Sequence, residues 1–410
     1  MMSGQYLLAL DLGTTTLAGR LLDADGRVLA EARLLNPQAV LGADIMRRLE
    51  QALDGSASRL QDLLRDGLRD LVGTLLQQAG LRPADIGAAA AAGNPGIVYL
   101  LRRLPVNSIL FPPHRPSCRE AVYLACEQLD LGLSVPVYLF PLVSGYVGGD
   151  LVAFLYAQAE VPEKSFFLDA GTNGEMALYA GGRWRVTSVA AGPAFEGGGI
   201  SCGMIAQAGA ISDVTVVDDT LRLTVIGGGV PRGVCGSGLA ATLAVALDGG
   251  LIDRHGTILD PLEVPTNLSR YIAATPHGRV LRLYRDASVD ILIDQQDIRN
   301  FQLAKAAVLA GTECLLQRAG VESSAVEYVT LTGAFGFSMS RQVLKRVAML
   351  PANMVDKVRF TQAGVLAGVG RLLLDARGPE EAQRLAAALQ PLPLSGTPVF
   401  EKAFITAMDF

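Results

Sequence analysis

Two short stretches carry the same set of reactive side chains. In "LLALDLGTTT" an apolar run ends in Asp11, and Gly13, Thr14, Thr15 and Thr16 follow. In "SFFLDAGTNGE" a second run ends in Asp169, and Gly171, Thr172, Asn173, Gly174 and Glu175 follow. A glycine turn lets backbone N–H groups come close to phosphate oxygens. Threonine and asparagine side chains add donors without adding charge. An acid cannot face phosphate directly, because two anions repel. It can hold a divalent cation, or a water on that cation, between itself and the phosphates. Asp11 and Asp169 are therefore expected to position Mg²⁺ through water, and Thr14, Thr15, Thr172 and Asn173 to donate to phosphate. Glu175 fits two roles, orienting an attacking water or making an ion pair. One such turn is commonplace. Two copies, each opening one half of the chain, point to a clamp on a β,γ-phosphate pair built from two facing lobes. A third glycine turn, "LTGAFG", follows a later apolar run at Leu331 and gives an adenine and ribose a backbone surface to lie on.

The elements around these turns repeat as well. Strands are expected at Leu7–Asp11, Leu17–Asp23 and Val28–Arg33, and again at Phe166–Asp169, Glu175–Ala180 and Trp184–Val189. Between them, Leu60, Leu63, Leu64, Leu68, Leu71, Val72, Leu75 and Leu76 follow three/four spacing, which predicts an amphipathic helix capped by Gly80. Ile86–Ala92 and Val135–Pro141 read as strands, and Pro105–Pro116 as irregular surface. A helix is predicted from Asp150 to Ala159, and "EVPEKS" reads as a boundary. The first lobe is thus placed at 1–164, with an inserted segment, and the second at 165–410. The second lobe contains a glycine-dense tract, a helix opening at Ser237, a long helix over Asp297–Ala319, a strand at Val329–Thr332 and a helix in "TQAGVLAGVGRLLLD". The tail, Val399–Phe410, is read as a returning strand.

Composition narrows the function classes. The 410 residues are half hydrophobic and 18% charged, which favours packed domains over disorder. A net charge of −5 gives no basic surface for nucleic acid or an anionic membrane. There is no apolar run long enough to span a bilayer and no signal-peptide pattern, so the expectation is a cytoplasmic protein. The five cysteines, Cys118, Cys126, Cys202, Cys235 and Cys314, form no CxxC pair, and the three histidines are scattered. They read as thiols in a reducing compartment rather than as zinc or iron–sulfur ligands.

The order of the three glycine turns resembles the actin, sugar kinase and seventy-kilodalton heat-shock ATPase superfamily. The resemblance implies an α/β, two-lobed actin-like (ASKHA) ATPase fold with duplicated ribonuclease H-like domains. It implies a first phosphate loop at Asp11–Thr16, a second at Asp169–Glu175 and an adenosine loop at Gly333, Ala334, Phe335 and Gly336, with ATP and Mg²⁺ as ligands. A narrower resemblance rests on seven ordered blocks: "NPQAVLGADIMRRL", "SGYVGGDLVA", "LDAGTNGEMAL", "AAGPAFEGGGISCGM", "GVCGSGL", "QQDIRNFQLAKAAVLAG" and "LTGAFG". Together they look like the ATPase portion of the reductive activators of corrinoid proteins. That family is expected to couple ATP hydrolysis to the one-electron reduction of an inactive Co(II) corrinoid protein back to Co(I). The sequence departs from the family in having no iron–sulfur module, so the electron is expected from a separate low-potential donor protein. Gln362-Ala363 also stand where the family has Gly-Asn, and "GNPG" at Gly93 replaces a threonine-rich turn. A homodimer is expected from the resemblance alone.

Other candidates carry two readings each. Asp150 is either a helix N-cap or an inner-sphere acid. Asp44 poses the same choice, with the cap favoured. Asp297, Arg299, Gln302 and Lys305 form either a solvated helix face or a set of nucleotide and lobe-closure contacts, Lys305 being the candidate cofactor ligand. Cys202 and Cys235 are read as packing residues. Two rival functions share the fold: a small-molecule kinase, and a nucleotide-gated switch or chaperone-like ATPase without redox chemistry.

Overall fold

The computed structural model describes residues 6–333, 339–361 and 364–410. The chain forms two compact units. The first comprises residues 1–161, 183–186 and 363–391, and the second residues 162–182, 187–362 and 392–410.

In the first unit, β1 (Tyr6–Leu12), β2 (Thr16–Leu22) and β3 (Val28–Leu35) form an antiparallel meander. β4 (Ile86–Gly93), β5 (Val122–Leu124) and β6 (Val137–Leu139) complete a sheet of order β3-β2-β1-β4-β6-β5. β4 runs parallel to β1, and β6 runs parallel to β4. Leu8, Ala9, Leu10 and Leu12 are all buried, which is why β1 reads as a nearly continuous apolar run. The amphipathic helix Ala57–Ala79 lays Leu60, Leu64, Leu68, Leu71 and Leu75 into this core, and Gly80 ends it in a left-handed conformation.

In the second unit, β7 (Ser165–Ala170), β8 (Asn173–Ala180) and β9 (Arg183–Ala190) repeat the meander. Two small sheets follow: β10 (Ala210–Val217), β11 (Thr220–Val225) and β12 (Gly233–Val234), then β13 (Ile272–Thr275), β14 (Gly278–Arg285) and β15 (Asp290–Ile293). β16 (Tyr328–Gly333) runs parallel to β7, and β17 (Val358–Phe360) runs parallel to β16. The strand order β9-β8-β7-β16-β17 therefore repeats β3-β2-β1-β4-β6 with the same directions. This is the duplicated architecture the sequence implied. β10 to β15 were not anticipated.

Two expectations need correction. The chain does not divide linearly at residue 164. The helix Val365–Leu374 buries Val365, Leu366, Val369 and Leu372, packs on β1, β4 and the helix Gly149–Tyr156, and so returns residues 363–391 to the first unit. There β18 (Leu389–Pro391) runs parallel to the start of β9, with Leu389 opposite Trp184. The tail is not a strand. Pro398–Thr406 is a helix, with Pro398 at its first position and the Thr397 hydroxyl accepting from the Phe400 N–H at 3.3 Å. Among the described residues, no helix is long and apolar enough to cross a membrane.

Candidate functional site

In the first unit the β1–β2 turn sits at the C-terminal end of β1, where Asp11 lies beside Ala92 and Leu12 beside Gly93 of the parallel strand β4. The turn closes with the Gly13 N–H donating to the Thr16 carbonyl at 3.1 Å. A buried polar layer supports it. Asn36 Nδ2 donates to the Gly13 carbonyl at 2.9 Å, and the Asn36 N–H donates to the Thr15 carbonyl at 2.8 Å. Arg48 is fully buried, and its Nη1 donates to the Thr14 carbonyl at 2.8 Å while Nε donates to the Gly42 carbonyl at 2.8 Å. Gln38, also fully buried, ties this layer to the Leu60 carbonyl through Nε2 at 2.8 Å. Burial lowers Arg48 to about 10, still far above neutrality, so the site keeps a permanent cation beneath the turn. Asn94 Nδ2 donates to Thr14 Oγ1 at 2.9 Å. The Thr14 oxygen is thereby engaged as an acceptor, and its hydrogen is directed elsewhere.

Asp150 belongs to the same end of the sheet. Gly148, not Asp150, is the N-cap of the helix Gly149–Tyr156, and a side chain at 148 would touch the Gly93 carbonyl, Asn94 Cα and Asp150 Oδ1. Asp150 Oδ1 accepts from the Leu151 N–H at 2.8 Å, and burial pushes its carboxyl up to about 6. Asp44 takes the capping role, with Oδ1 accepting from the Arg47 N–H at 2.9 Å.

The second unit builds its own turn. Asp169 pairs across the hairpin with Glu175, and Ala170 with Gly174. β16 brings Thr332 beside Asp169 and Gly333 beside Ala170. Gly333 has a φ of +103°, and a Cβ there would stand 2.5 Å from both Asp169 Oδ1 and the Ala170 carbonyl. Only glycine lets β16 end against this acid. Ala334, Phe335 and Gly336 lie outside the described residues. The turn is shaped by the Gly171 N–H donating to the Asn173 carbonyl at 3.0 Å and the Gly192 N–H donating to the Thr172 carbonyl at 2.8 Å. Ser188 Oγ donates to Glu175 Oε1 at 3.3 Å.

Thr172 differs from the expectation. Its N–H donates to Glu196 Oε1 at 3.0 Å, and its hydroxyl donates to Glu196 Oε2 at 3.1 Å. Lys305 and its neighbours make their hydrogen bonds to other segments, although their helix reaches the second turn, where a Cβ on Gly174 would stand 3.3 Å from Val308 Cγ2. Lys305 is fully buried, its Nζ donates to the Asp409 carbonyl and stands 5.2 Å from the Phe410 ring centre, and burial lowers it to about 8. Gln302 Nε2 holds the Met408 and His255 carbonyls at 3.0 Å each, and Arg299 bonds Gln302. Asp297 is buried as the third residue of a capping box with Asp294. Gln302 and Lys305 thus fasten the end of the chain to the long helix Gln295–Ala319, while Asp297 Oδ1 accepts from the Ser201 N–H at 2.8 Å. Cys235 is buried, and burial pushes Cys202 up to about 11, as suits packing thiols.

The acids suit a cation shared with a ligand. Asp169 and Glu175 stand directly opposite each other across the hairpin. Among the described residues, no three His, Cys, Asp or Glu side chains converge as an all-protein metal cage. Mg²⁺ typically keeps several waters and takes one or two carboxylates plus substrate phosphates, and this donor set fits that habit.

Sequence reasoning passed over Asn36, Gln38, Arg48, Asn94 and Glu196. The first three lie in "NPQAVLGADIMRRL", where only Asp44 was weighed. A buried arginine and a surface one read alike by residue type, so the signal available was the polar pair Asn36 and Gln38 between apolar runs.

The family description of the C-terminal ASKHA domain of RACo matches residues 163–410. The chain belongs to this family. The description of the RACo middle region matches residues 6–159. The corrinoid activation enzyme RamQ of Eubacterium limosum is 29% identical over 379 residues, covering 90% of this chain and 64% of RamQ. The [Co(II) methylated amine-specific corrinoid protein] reductase of Methanosarcina barkeri is 24% identical over 390 residues, covering 87% of this chain and 67% of that protein. A solved structure of a reductive activator for corrinoid, iron-sulfur protein superposes with a TM-score of 0.94 at 29% identity, over 100% of this chain and 67% of that one. The ASKHA chain described here thus spans about two thirds of the length of these relatives.

Proposed function

We propose that this ASKHA chain is an ATP-dependent reductive activator, or the ATPase part of one, that returns a Co(II) corrinoid protein to Co(I). The observation that carries this reading is the superposition of 100% of this chain on 67% of a reductive activator at a TM-score of 0.94. The relatives' names point the same way. In this reading the first turn, through Gly13, Thr14, Thr15 and Thr16, and the second, through Gly171, Asn173 and Gly174, bind nucleotide phosphates. Asp11 and Asp169 would hold Mg²⁺ through water, and the ion would supply charge neutralisation to the phosphates. Glu175, steadied by Ser188, orients the attacking water. The Arg48, Asn36 and Asn94 layer keeps the first turn in shape. Hydrolysis favours a state of the complex in which cobalt accepts an electron more readily, which is linkage between two equilibria. One electron per cobalt comes from a separate low-potential donor.

The test mixes this protein, a Co(II) corrinoid protein and a low-potential donor under anaerobic conditions, and follows the visible spectrum with and without Mg-ATP. Co(I) is expected to appear only with ATP and to be lost in Asp11→Ala. ATP hydrolysis without Co(I), across corrinoid partners and donors, would overturn the activator reading and favour a nucleotide switch.

A further inference from the structure

Two asparagines hold the first turn, and each does so with one half of its amide. Asn36 caps the short turn Pro37–Val40. Its Oδ1 accepts from the Gln38 N–H at 3.0 Å, and its Nδ2 donates to the Gly13 carbonyl at 2.9 Å. Asn94 caps the helix Pro95–Arg102. Its Oδ1 accepts from the Ile97 N–H at 3.0 Å, and its Nδ2 donates to Thr14 Oγ1 at 2.9 Å. A proline follows each asparagine, at the first helical position, where no N–H is needed. The cap settles which way the Asn94 amide faces. Turning it over would set its NH₂ group against the Ile97 N–H, donor against donor. Nδ2 therefore faces Thr14, and it has hydrogens to give and accepts none. Thr14 Oγ1 must be the acceptor.

A hydroxyl has one hydrogen, and that of Thr14 cannot point at Nδ2. The surroundings hold both partners still. Arg48 Nη1 donates to the Thr14 carbonyl at 2.8 Å. Thr14 and Asn94 are 5% and 6% exposed, so bulk water does not replace either of them. Asn94 follows Gly93, the last residue of β4, which lies beside Leu12 at the end of β1. A Cβ on Gly148 would stand 2.7 Å from Asn94 Cα, so the helix Gly149–Tyr156 begins against the cap. Among the described residues, no acceptor takes the Thr14 hydroxyl hydrogen. We propose that Asn94 is a positioning residue that aims the Thr14 hydroxyl, as a donor, at a phosphate oxygen of the nucleotide. An oxygen that already accepts one hydrogen bond donates a stronger one, because linked hydrogen bonds polarise each other. This inference rests on the nucleotide reading above and gives one donor of that site its direction.

Equilibrium titration with Mg-ATP tests it on wild type, Asn94→Asp, Thr14→Val and the double variant. Asn94→Asp keeps the capping oxygen and turns the group facing Thr14 from a donor into an acceptor. The Thr14 hydrogen then goes to the carboxylate and is lost to the phosphate. The new charge also weakens binding, and the Thr14→Val background measures that part alone, since it keeps the branched shape and has no hydroxyl. The rise in dissociation constant caused by Asn94→Asp is expected to be about tenfold larger with Thr14 present than in the Thr14→Val background, the low end of what a hydrogen bond to a charged acceptor contributes. Equal rises in the two backgrounds, as a simple cap or a bare charge would give, overturn the proposal and leave nucleotide binding intact. Asn94→Ser repeats the cycle without a charge and decides the matter if Asn94→Asp does not fold. It retains a capping oxygen and lacks Nδ2, so its loss should be about threefold with Thr14 present, the scale of one neutral hydrogen bond, and absent in the Thr14→Val background. Equal losses there overturn the proposal too. Thr14→Ala supplies a second background without the hydroxyl. Wild type that binds no Mg-ATP sinks the nucleotide reading, and this inference with it.

Discussion

Asp150 shows how burial at one residue sets a pH dependence. Its carboxyl, ordinarily near 3.8, is raised to about 6, chiefly because burial disfavours the charged form. Between those two values the folded state holds a proton that the unfolded state has released. The unfolded state therefore binds fewer protons, and stability falls as pH rises from about 4 to about 6. Asp150→Asn is expected to flatten that slope and to melt higher than wild type at pH 7, where the charge is otherwise confined. Thermal unfolding of both proteins from pH 4 to pH 8 checks this; parallel curves would show that Asp150 is solvated. Charge at a residue was legible in the sequence only as composition. The Asp11 and Asp169 turns stood out because acid, glycine and hydroxyl recur in one order. Arg48 and Glu196 did not, because what distinguishes them is burial and a partner far along the chain, Thr14 for one and Thr172 for the other.

At the scale of elements, the repeat was readable and the return of the chain was not. Strand, turn and strand are local patterns, so β1–β2–β3 and β7–β8–β9 follow from periodicity and glycine placement. The helix Val365–Leu374 was also readable as a helix. Its destination depends on small residues that permit close approach, and periodicity carries no such information. Gly368 marks the contact. A Cβ at that position would stand 1.7 Å from the Ala153 carbonyl oxygen and 2.5 Å from its carbon. Both are backbone atoms, so no side-chain rotation relieves the clash, and the two helices must separate. Gly368→Val is expected to cost about 4 kcal/mol or more, in the range reserved for core overpacking and backbone strain. Urea unfolding measures it. A loss under about 1 kcal/mol, the ordinary effect of a surface substitution, would mean that this helix does not seat on Gly149–Tyr156 as described.

For the whole molecule, each unit has its own buried core, one around Leu8, Leu64 and Leu71 and the other around Phe166, Phe195 and Phe301. Neither core distinguishes a kinase, a switch and an activator, since function lives in the turns and not in the packing. Ligand binding to the native turns is nevertheless visible in global stability, because an unfolded chain has no turn to offer a phosphate. Mg-ATP at a hundred times its dissociation constant should stabilise the protein by about 2.7 kcal/mol. In a unit of this size that is a rise in melting temperature of about 5–10 °C. The measurement needs no corrinoid partner and no electron donor, so it isolates nucleotide binding from the redox step. The rise should shrink to a degree or two in Asp11→Ala, whose core residues are untouched. It should also be absent with Mg²⁺ alone, because the acids of the two turns are arranged to share a cation with phosphates and not to cage one. No shift with Mg-ATP at millimolar concentration would remove the nucleotide from the reading of both turns, and an equal shift with Mg²⁺ alone would make them cation sites in their own right.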